Sequence, residues 1–201
     1  MTRKNFDEQE VLALIRNEET LETAFRMILE EFKKPLYWHI KRMVNDHNDT
    51  DDILQNAFIK AWKNLGNFRG ESKLKTWLWR IGINETLTFI QQKKKRLYVD
   101  VDLIGNHSAF SHSDHSPISG EEIQSKLQNA IDSLPVKQKQ VFTMKYFEDL
   151  TYEEMSVLLG GTSGSLKASF HHAAKKIEAF LINSLNHPVI QSSNKNNDKQ
   201  G

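Results

Sequence analysis

Residues 150–177 read LTYEEMSVLLGGTSGSLKASFHHAAKKI, and this stretch predicts two α-helices joined by a tight turn. Thr151 and Glu154 have the spacing of a capping box, in which a hydroxyl and a carboxylate bond the unpaired N–H groups of a helix start. Gly160 and Gly161 predict the end of that helix, because glycine adopts positive φ angles at little cost. The first helix should therefore run between these two signals.

The second helix should begin near Ser163, whose hydroxyl can cap it. Apolar side chains at helical spacing predict one buried stripe, made of Leu166, Phe170, Ala173, Ala174 and Ile177. The other face carries Lys167, Ser169, His171, Lys175 and Lys176. A helix set at a steep angle after a short turn can enter the major groove of DNA, so the pattern predicts a helix-turn-helix. Any hairpin of two helices in a small helical domain would look similar, so a second signal is needed.

That signal lies upstream, in residues 49–96. Helical spacing predicts a buried stripe made of Leu54, Ala57, Phe58, Ala61, Trp62 and Leu65. The polar remainder of the same helix consists of Asp51, Asp52, Gln55, Asn56 and Lys60. One face of this helix is therefore predicted to be core, and the other is available to a partner.

A loop over residues 66–72 then precedes a long basic helix, which Ser72 can cap. The apolar stripe predicted for this helix comprises Trp77, Leu78, Ile81, Leu87 and Ile90. From Ser72 to Arg96 there are seven basic residues and one acidic residue, Glu85. An aromatic loop beside a basic helix suits the capture of single-stranded DNA by stacking and phosphate contacts. We interpret Trp62 and Trp77 as core residues.

The composition excludes several classes of protein. The chain has 201 residues and no cysteine, which excludes disulfide scaffolds, thiol catalysis and cysteine-based zinc sites. The first seven residues lack the apolar run of a signal peptide, and no segment reaches the ~20 apolar residues of a membrane span. We therefore predict a cytoplasmic protein without membrane insertion. Neither a glycine-rich phosphate loop nor an HExxH motif is present, so we predict a protein that is not an enzyme and has no cofactor.

Four segments together resemble the extracytoplasmic-function (ECF) sigma factors of bacterial RNA polymerase. They read DDILQNAFIKAW, NFRGESKLKTWLWRIGIN, LPVKQKQVFTMKYFEDLTYEEMSVLLG and GSLKASFHHAAKKI, and the similarity extends from about Glu8 to Leu181. The resemblance implies an all-α fold of two small helical domains joined by a flexible linker, the second domain containing the helix-turn-helix. In this family the first domain binds core polymerase and melts the minus-10 element, and the second reads the minus-35 element.

The resemblance also implies three sets of site residues. Those facing the polymerase coiled coil would be Asp52, Gln55 and Asn56. Those near the minus-10 DNA would be Phe68, Arg69, Lys75, Arg80 and Asn84. Those on the minus-35 DNA would be Ser163, Ser165, Lys167, Ser169, His171, His172 and Lys175. Phe68 and Asn84 would border a pocket for a flipped base, although Phe68 could instead seal its loop onto the domain.

Two positions depart from the family pattern. Asn56 stands where a carboxylate is common, which weakens the expected polymerase contact. Positions 169, 172 and 174 carry Ser, His and Ala in place of arginines, so fewer bidentate contacts to guanine are available.

We divide the chain into a first domain over residues 1–96, a linker over 97–120, a second domain over 121–182 and a disordered tail over 183–201. The net charges of these segments are +4, −3, −1 and +1, so basic charge is concentrated in the first domain. The linker contains His107, His112 and His115, which we interpret as solvated residues because no rigid element would fix them around a metal.

The sequence therefore predicts a subunit that gives core RNA polymerase its promoter specificity. Its partners would be core polymerase and promoter DNA, and the resemblance leaves room for an anti-sigma factor. One alternative is an autonomous helix-turn-helix regulator that does not depend on polymerase binding. Another is an interaction protein that sequesters a partner through a degenerate helix-turn-helix.

Overall fold

The computed structural model describes residues 6–100 and 120–186, and every regular element in these ranges is helical. The elements are α1 (Glu8–Ile15), α2 (Leu21–Val44), α3 (His47–Leu65), α4 (Leu74–Asp100), α5 (Gly120–Asp132), α6 (Val136–Phe147), α7 (Tyr152–Leu159) and α8 (Ser163–Asn186), with a 3₁₀ turn at Glu18–Thr20. The predicted all-α fold is confirmed, with four α-helices described before residues 101–119 and four after them.

Helices α1 to α4 form the first bundle. A two-residue turn folds α3 back onto α2, because Asn45 adopts a φ of 56° and the Asp46 carboxylate accepts the Asp49 N–H at 2.9 Å. The buried core of this bundle includes Ile28, Leu36, Ile40, Ile53, Leu65, Leu78 and Ile83. Pro35 does not break α2, and its ring lies on the exposed side of the helix.

Gly82 lets α4 approach α2 closely. A Cβ atom placed on this buried glycine would lie 2.7 Å from Cδ1 of Leu36, well inside van der Waals contact. A larger residue here would force the buried Leu36 side chain to shift, so this glycine fits the close packing of α4 on α2.

Helices α5 to α8 form the second bundle, which contains the predicted helix-turn-helix. The capping box is confirmed, because the Thr151 N–H donates to Glu154 Oε2 at 2.9 Å and the Glu154 N–H donates to Thr151 Oγ1 at 3.2 Å. Gly160 and Gly161 have φ angles of 73° and 86° in the turn. The predicted cap of α8 is wrong, since Thr162 Oγ1, and not Ser163, accepts the Ser165 N–H at 3.2 Å.

The structure corrects two further predictions about α4. The first N–H of α4, from Leu74, donates to Glu8 Oε1 at 2.7 Å. The Glu8 carboxylate therefore caps this helix, and not the Ser72 hydroxyl as predicted. The most deeply buried side chains of α4 are Leu74, Leu78, Trp79, Ile83 and Thr86. Of the predicted stripe, only Leu78 is fully buried, because α4 packs against α2 and α3 on one side and against α7 on another.

The two bundles share one continuous core. Val141, Met144, Leu150, Met155, Leu158 and Leu166 join the buried cluster of the first bundle. Helix α4 continues past the predicted boundary at residue 96 to Asp100, and α8 continues to Asn186. Gly120, the last residue of the predicted linker, begins α5. Residues 101–119, with the three linker histidines, and residues 187–201 lie outside the described residues.

Candidate nucleic-acid interface

An open groove of about 930 Å³ runs between α2 and α3. Its floor is apolar and consists of Phe25, Leu29, Leu54, Phe58, Ile59 and Trp62. Trp62 is 40% exposed and Ile59 is 44% exposed, while the Phe25 ring packs on Trp62 with centroids 5.0 Å apart. The interpretation of Trp62 as a core residue is therefore wrong, because the Trp62 side chain, although part of the apolar stripe of α3, lines this groove.

The rim of the groove is polar and mostly acidic. Its members are Glu22, Glu30, Lys33, Asp51, Asp52 and Gln55. Two of the predicted polymerase contacts, Asp52 and Gln55, thus lie at the groove, whereas Asn56 is exposed on α3 and is not among its lining residues. An apolar groove with carboxylates at its edge can hold a helix that presents apolar and basic side chains.

The loop between α3 and α4 is held to α4 by an aromatic contact. Phe68 is partly buried, and its ring meets the Trp77 ring in a tilted arrangement with centroids 5.1 Å apart. Arg69 is exposed in the same loop, and Gly70 has a φ of 74°. Phe68 therefore seals the loop onto α4 in this structure, and its part in base capture stays a prediction.

Asn84 is exposed on the side of α4 that carries Trp77. The two residues are seven positions apart, which on an α-helix is two turns, or about 10 Å. Phe68 packs at the Trp77 end of this face, so the structure places Phe68 and Asn84 on one side of the bundle without bringing them together.

The other two predicted minus-10 residues face the second bundle. Arg80 Nη2 donates to the carbonyl oxygen of Val157 on α7 at 3.0 Å. Lys75 lines a cavity of about 160 Å³ together with Trp79, Glu154 and Leu158. Hydrogen bonds with Thr151 lower the pKa of Glu154, burial opposes them, and the charges of Lys73 and Lys75 lower it further. Helix α7 thus contacts this end of α4, while the Lys75 and Arg80 side chains remain exposed.

A polar cluster that sequence reasoning missed lies beside this contact. Glu148 Oε1 is 2.5 Å from His39 Nδ1 on α2, and Trp79 Nε1 on α4 donates to Glu148 Oε2 at 2.8 Å. Burial alone would raise the pKa of Glu148, but the charge and hydrogen bond of His39, the Trp79 bond and the charge of Lys75 together lower it. The carboxylate is therefore held ionised between the bundles.

The outer face of α8 is open. Lys167, His171, His172, Lys175 and Ser165 are exposed, whereas Ser163 and Ser169 are half-buried. Residues 163, 167, 171 and 175 follow at four-residue intervals, so they lie along one side of the helix. Leu166, Ala173 and Ile177 are buried on the opposite side, as predicted. The helix-turn-helix therefore presents a continuous polar and basic face.

Comparison with known proteins matches both bundles. The sigma-70 region 2 family matches residues 28–96, and the sigma-70 region 4 family matches residues 124–177. The RNA polymerase sigma-H factor of Pseudomonas aeruginosa is 30% identical over 167 residues, covering 79% of this chain and 86% of that protein. This chain belongs to the ECF sigma factors. SigW of Bacillus subtilis, an ECF sigma factor, is 28% identical, covering 79% of this chain and 89% of its own.

Two solved structures share the fold. RpoE of Bartonella quintana, solved with the anti-sigma factor NepR, has a TM-score of 0.64 and 18% identity, covering 79% of this chain and 96% of its own. CnrH, solved with the cytosolic domain of CnrY, has a TM-score of 0.64 and 17% identity, covering 88% of this chain and 97% of its own.

The candidate surfaces overlap the two matched regions. Most of the α2–α3 groove, the loop with Phe68 and the basic residues of α4 fall within the region 2 match, whereas Glu22 and Phe25 of the groove precede it. Helix α8 up to Ile177 falls within the region 4 match. Across the described ranges, no helix is long and apolar enough to span a membrane. In those same ranges, no group of three or more His, Cys, Asp or Glu residues is placed to hold a metal ion.

Proposed function

We propose that this sigma factor binds core RNA polymerase through the α2–α3 groove and directs it to promoters. The groove carries this assignment, because it combines an exposed tryptophan and isoleucine with Asp52 and Gln55 at its edge. Exposed apolar surface of this kind marks a site for a partner, and a helix of the polymerase coiled coil has the shape to fill it. The protein would then act in the cytoplasm as a non-catalytic subunit.

Promoter DNA would meet two separate surfaces. We assign minus-10 recognition and melting to the loop with Phe68 and Arg69 and to three residues of α4, namely Lys75, Arg80 and Asn84. The outer face of α8 would read the minus-35 element through Lys167, His171 and their neighbours. Lysine and histidine contacts supply phosphate binding and single hydrogen bonds, so discrimination between bases at minus-35 should be modest.

The domain limits also stay a proposal. We assign residues 1–96 to polymerase and minus-10 binding and residues 121–182 to minus-35 binding, with residues 97–120 as the connection. An anti-sigma factor is a further proposed partner, which is supported by two proteins of this fold that were solved as complexes with NepR and CnrY.

Run-off transcription with purified bacterial core polymerase tests the function directly. Genomic fragments would serve as templates, and the 5′ ends of the transcripts would be mapped with and without this chain. We expect a discrete set of start sites that appears only when the chain is added. An autonomous regulator would instead bind its DNA sites without polymerase and create no start sites with core enzyme.

A further inference from the structure

The second bundle has little positive charge for a domain that binds DNA. Residues 121–182 contain seven basic and eight acidic residues, so their net charge is −1 while the histidines are neutral. Helix α8 has no arginine, and its cations are Lys167, Lys175 and Lys176. Residues 121–182 contain two histidines, His171 and His172, both on α8. Protonation of both histidines would change the net charge to +1.

The two imidazoles lie on opposite sides of the exposed face of α8. Successive residues of an α-helix are about 100° apart around the axis, so His171 and His172 flank the centre of this face. Both side chains are exposed, and their ring centroids are 6.3 Å apart. Ala168 is exposed between them, and its small side chain lets the helix approach base edges closely.

Each imidazole shares its side of the helix with a lysine. Lys167 lies one turn before His171, and Lys176 lies one turn after His172, so the two pairs follow the two sides of the exposed face. Both lysines are exposed. The buried residues Leu166 and Ile177 lie on the opposite side of α8, so packing in the bundle leaves both pairs open to a ligand.

The charged groups packed around α8 do not neutralise the imidazoles. Helix α8 contacts α5, α6 and α7, whose described charged side chains are Glu122, Lys126, Asp132, Lys137, Lys139, Lys145, Glu153 and Glu154. Within the described helices, none of these groups forms an ion pair or a hydrogen bond with His171 or His172. The one carboxylate of α8 itself is Glu178, which lies two turns, or about 10 Å, beyond His171.

A helix in the major groove of DNA has one phosphate backbone on each side. A protonated imidazole donates from both ring nitrogens and forms a charge-assisted hydrogen bond with a phosphate, whereas a neutral imidazole offers one uncharged N–H. We propose that the pairs Lys167–His171 and His172–Lys176 form a phosphate clamp, which is complete only when both histidines are protonated. This inference rests on the proposed use of α8 in minus-35 recognition.

The clamp makes minus-35 binding depend on pH. Histidine changes its charge between about pH 5 and about pH 8, whereas lysine stays charged throughout this range. A bound phosphate stabilises the protonated form, so DNA binding takes up protons and the affinity rises as pH falls. The same contribution is lost as pH rises and both imidazoles become neutral.

Binding of promoter DNA by the holoenzyme, which is core polymerase with this chain bound, tests the clamp. The probe is a fluorescein-labelled duplex of a promoter mapped by the run-off assay. A second duplex is truncated between the two elements, so that it lacks minus-35. The ratio of the two affinities removes effects of pH on polymerase and on minus-10 binding. We expect this ratio to rise about fivefold or more from about pH 8 to about pH 6.

Two double variants fix the charge of the clamp. His171→Gln with His172→Gln cannot be protonated, so the affinity ratio should be low and independent of pH. His171→Lys with His172→Lys is always charged, so the ratio should be high and equally independent of pH. Both changes are at exposed positions and should leave the fold intact. His47→Gln, at an exposed position of α3, is the matched control and should keep the pH dependence of the wild type.

Proton uptake separates phosphate binding from a merely structural role of the histidines. Calorimetric titration of the full-length promoter duplex in two buffers of different ionisation enthalpy counts the protons that accompany binding. Near pH 7, the wild-type holoenzyme should take up about one proton more than the double glutamine variant. Residues that only shaped α8 would change the affinity without changing this number.

The outcomes also distinguish the clamp from the role of α8. A wild-type ratio that is constant over this pH range would overturn the clamp, as would a pH dependence that persists in the double glutamine variant. If removal of the minus-35 element leaves the affinity of the wild type and of the double lysine variant unchanged at every pH, the proposed role of α8 fails. Weaker binding to the truncated duplex without any effect of pH would leave that role standing and remove the clamp alone.

Discussion

Trp77 and Trp79 are two residues apart on α4 and have different surroundings. Trp77 is half-buried against Phe68 of the loop, whereas Trp79 is 1% exposed and donates its indole N–H to Glu148. Residues two apart on a helix point to nearly opposite sides. A single turn of α4 therefore supports the proposed melting loop on one side and the contact with the second bundle on the other.

Asn84 provides the most direct residue-level test of the proposed minus-10 surface. Because its side chain is exposed, Asn84→Ala should leave the melting temperature and polymerase retention unchanged. Loss of base contacts should make the free energy of open-complex formation less favourable by about 1–3 kcal/mol. Permanganate footprinting of promoter thymines would measure this. Thr88→Ala, one turn further along α4 and also exposed, is the control.

A template mismatched across the minus-10 element refines the same test. On this template the minus-10 bases are already unpaired, so opening them costs no free energy. The contacts between Asn84 and the bases are still lost, so open-complex formation by Asn84→Ala should recover only in part. Normal thymine reactivity on the duplex promoter would remove Asn84 from the proposed site.

Helix α6 differs from the other helices because both bundles bury it. Six consecutive residues, from Lys139 to Met144, are buried. Val141 and Met144 belong to the core shared with the first bundle, while Phe142 packs in the second, where its ring stacks on Phe170 at 5.7 Å between centroids. A helix buried all round gives no single apolar stripe, so its polar interface residues could not be assigned from sequence.

A charge reversal on α3 tests whether the α2–α3 groove binds polymerase. Asp52→Arg reverses a charge at the rim and should weaken binding to core polymerase by roughly 2–5 kcal/mol, while costing about 0.5 kcal/mol or less in stability. Retention of core enzyme on immobilised protein would measure the first effect, and urea denaturation the second. Lys63→Asp, an exposed charge reversal on α3 away from the groove lining, should leave retention unchanged. Equal retention of wild type and Asp52→Arg would show that another surface binds polymerase.

The sequence predicted local structure well wherever that structure is determined by residues close together in the chain. The capping box of Thr151 and Glu154, the glycine turn and the inward stripe of α8 all depend on residues a few positions apart. It failed where a distant residue intervenes, as at Leu74, whose cap is Glu8, and at Trp62, which faces a groove. His39 and Glu148 are 109 positions apart, and no periodic pattern indicates that they meet.

At the scale of the whole molecule, folding stability should depend on pH through Glu148, which joins the two bundles. Its pKa lies below the usual value of 4.5, so ionised Glu148 stabilises the folded protein fully above that pH and loses this effect as pH falls through the lowered pKa. Glu148→Gln cannot ionise and should have a lower free energy of unfolding than wild type near neutral pH. The difference between the two proteins, measured by urea denaturation, should shrink below about pH 4.5.

The charged neighbours of Glu148 are the same in both proteins, namely His39 and Arg42 on α2 and Lys75 on α4. Circular dichroism at each pH would confirm that the helices persist. A difference in the free energy of unfolding that stayed constant down to complete protonation of the carboxylates would contradict the role of Glu148.

The placement of Glu154 beside Lys73 and Lys75 changes how salt should act on DNA binding. A lysine without a fixed partner releases condensed counterions when it neutralises a DNA phosphate. On single-stranded DNA, each such contact steepens the slope of log binding constant against log salt concentration by about 0.7. Here a phosphate that binds Lys75 competes with the Glu154 carboxylate, which lines the same small cavity and whose pKa the charge of this lysine lowers. A carboxylate that no longer has the charge of Lys75 to itself should attract small cations, which cancels part of the counterion release. The affinity of the sigma factor for promoter DNA should therefore depend less on ionic strength than the number of basic residues on α4 would predict.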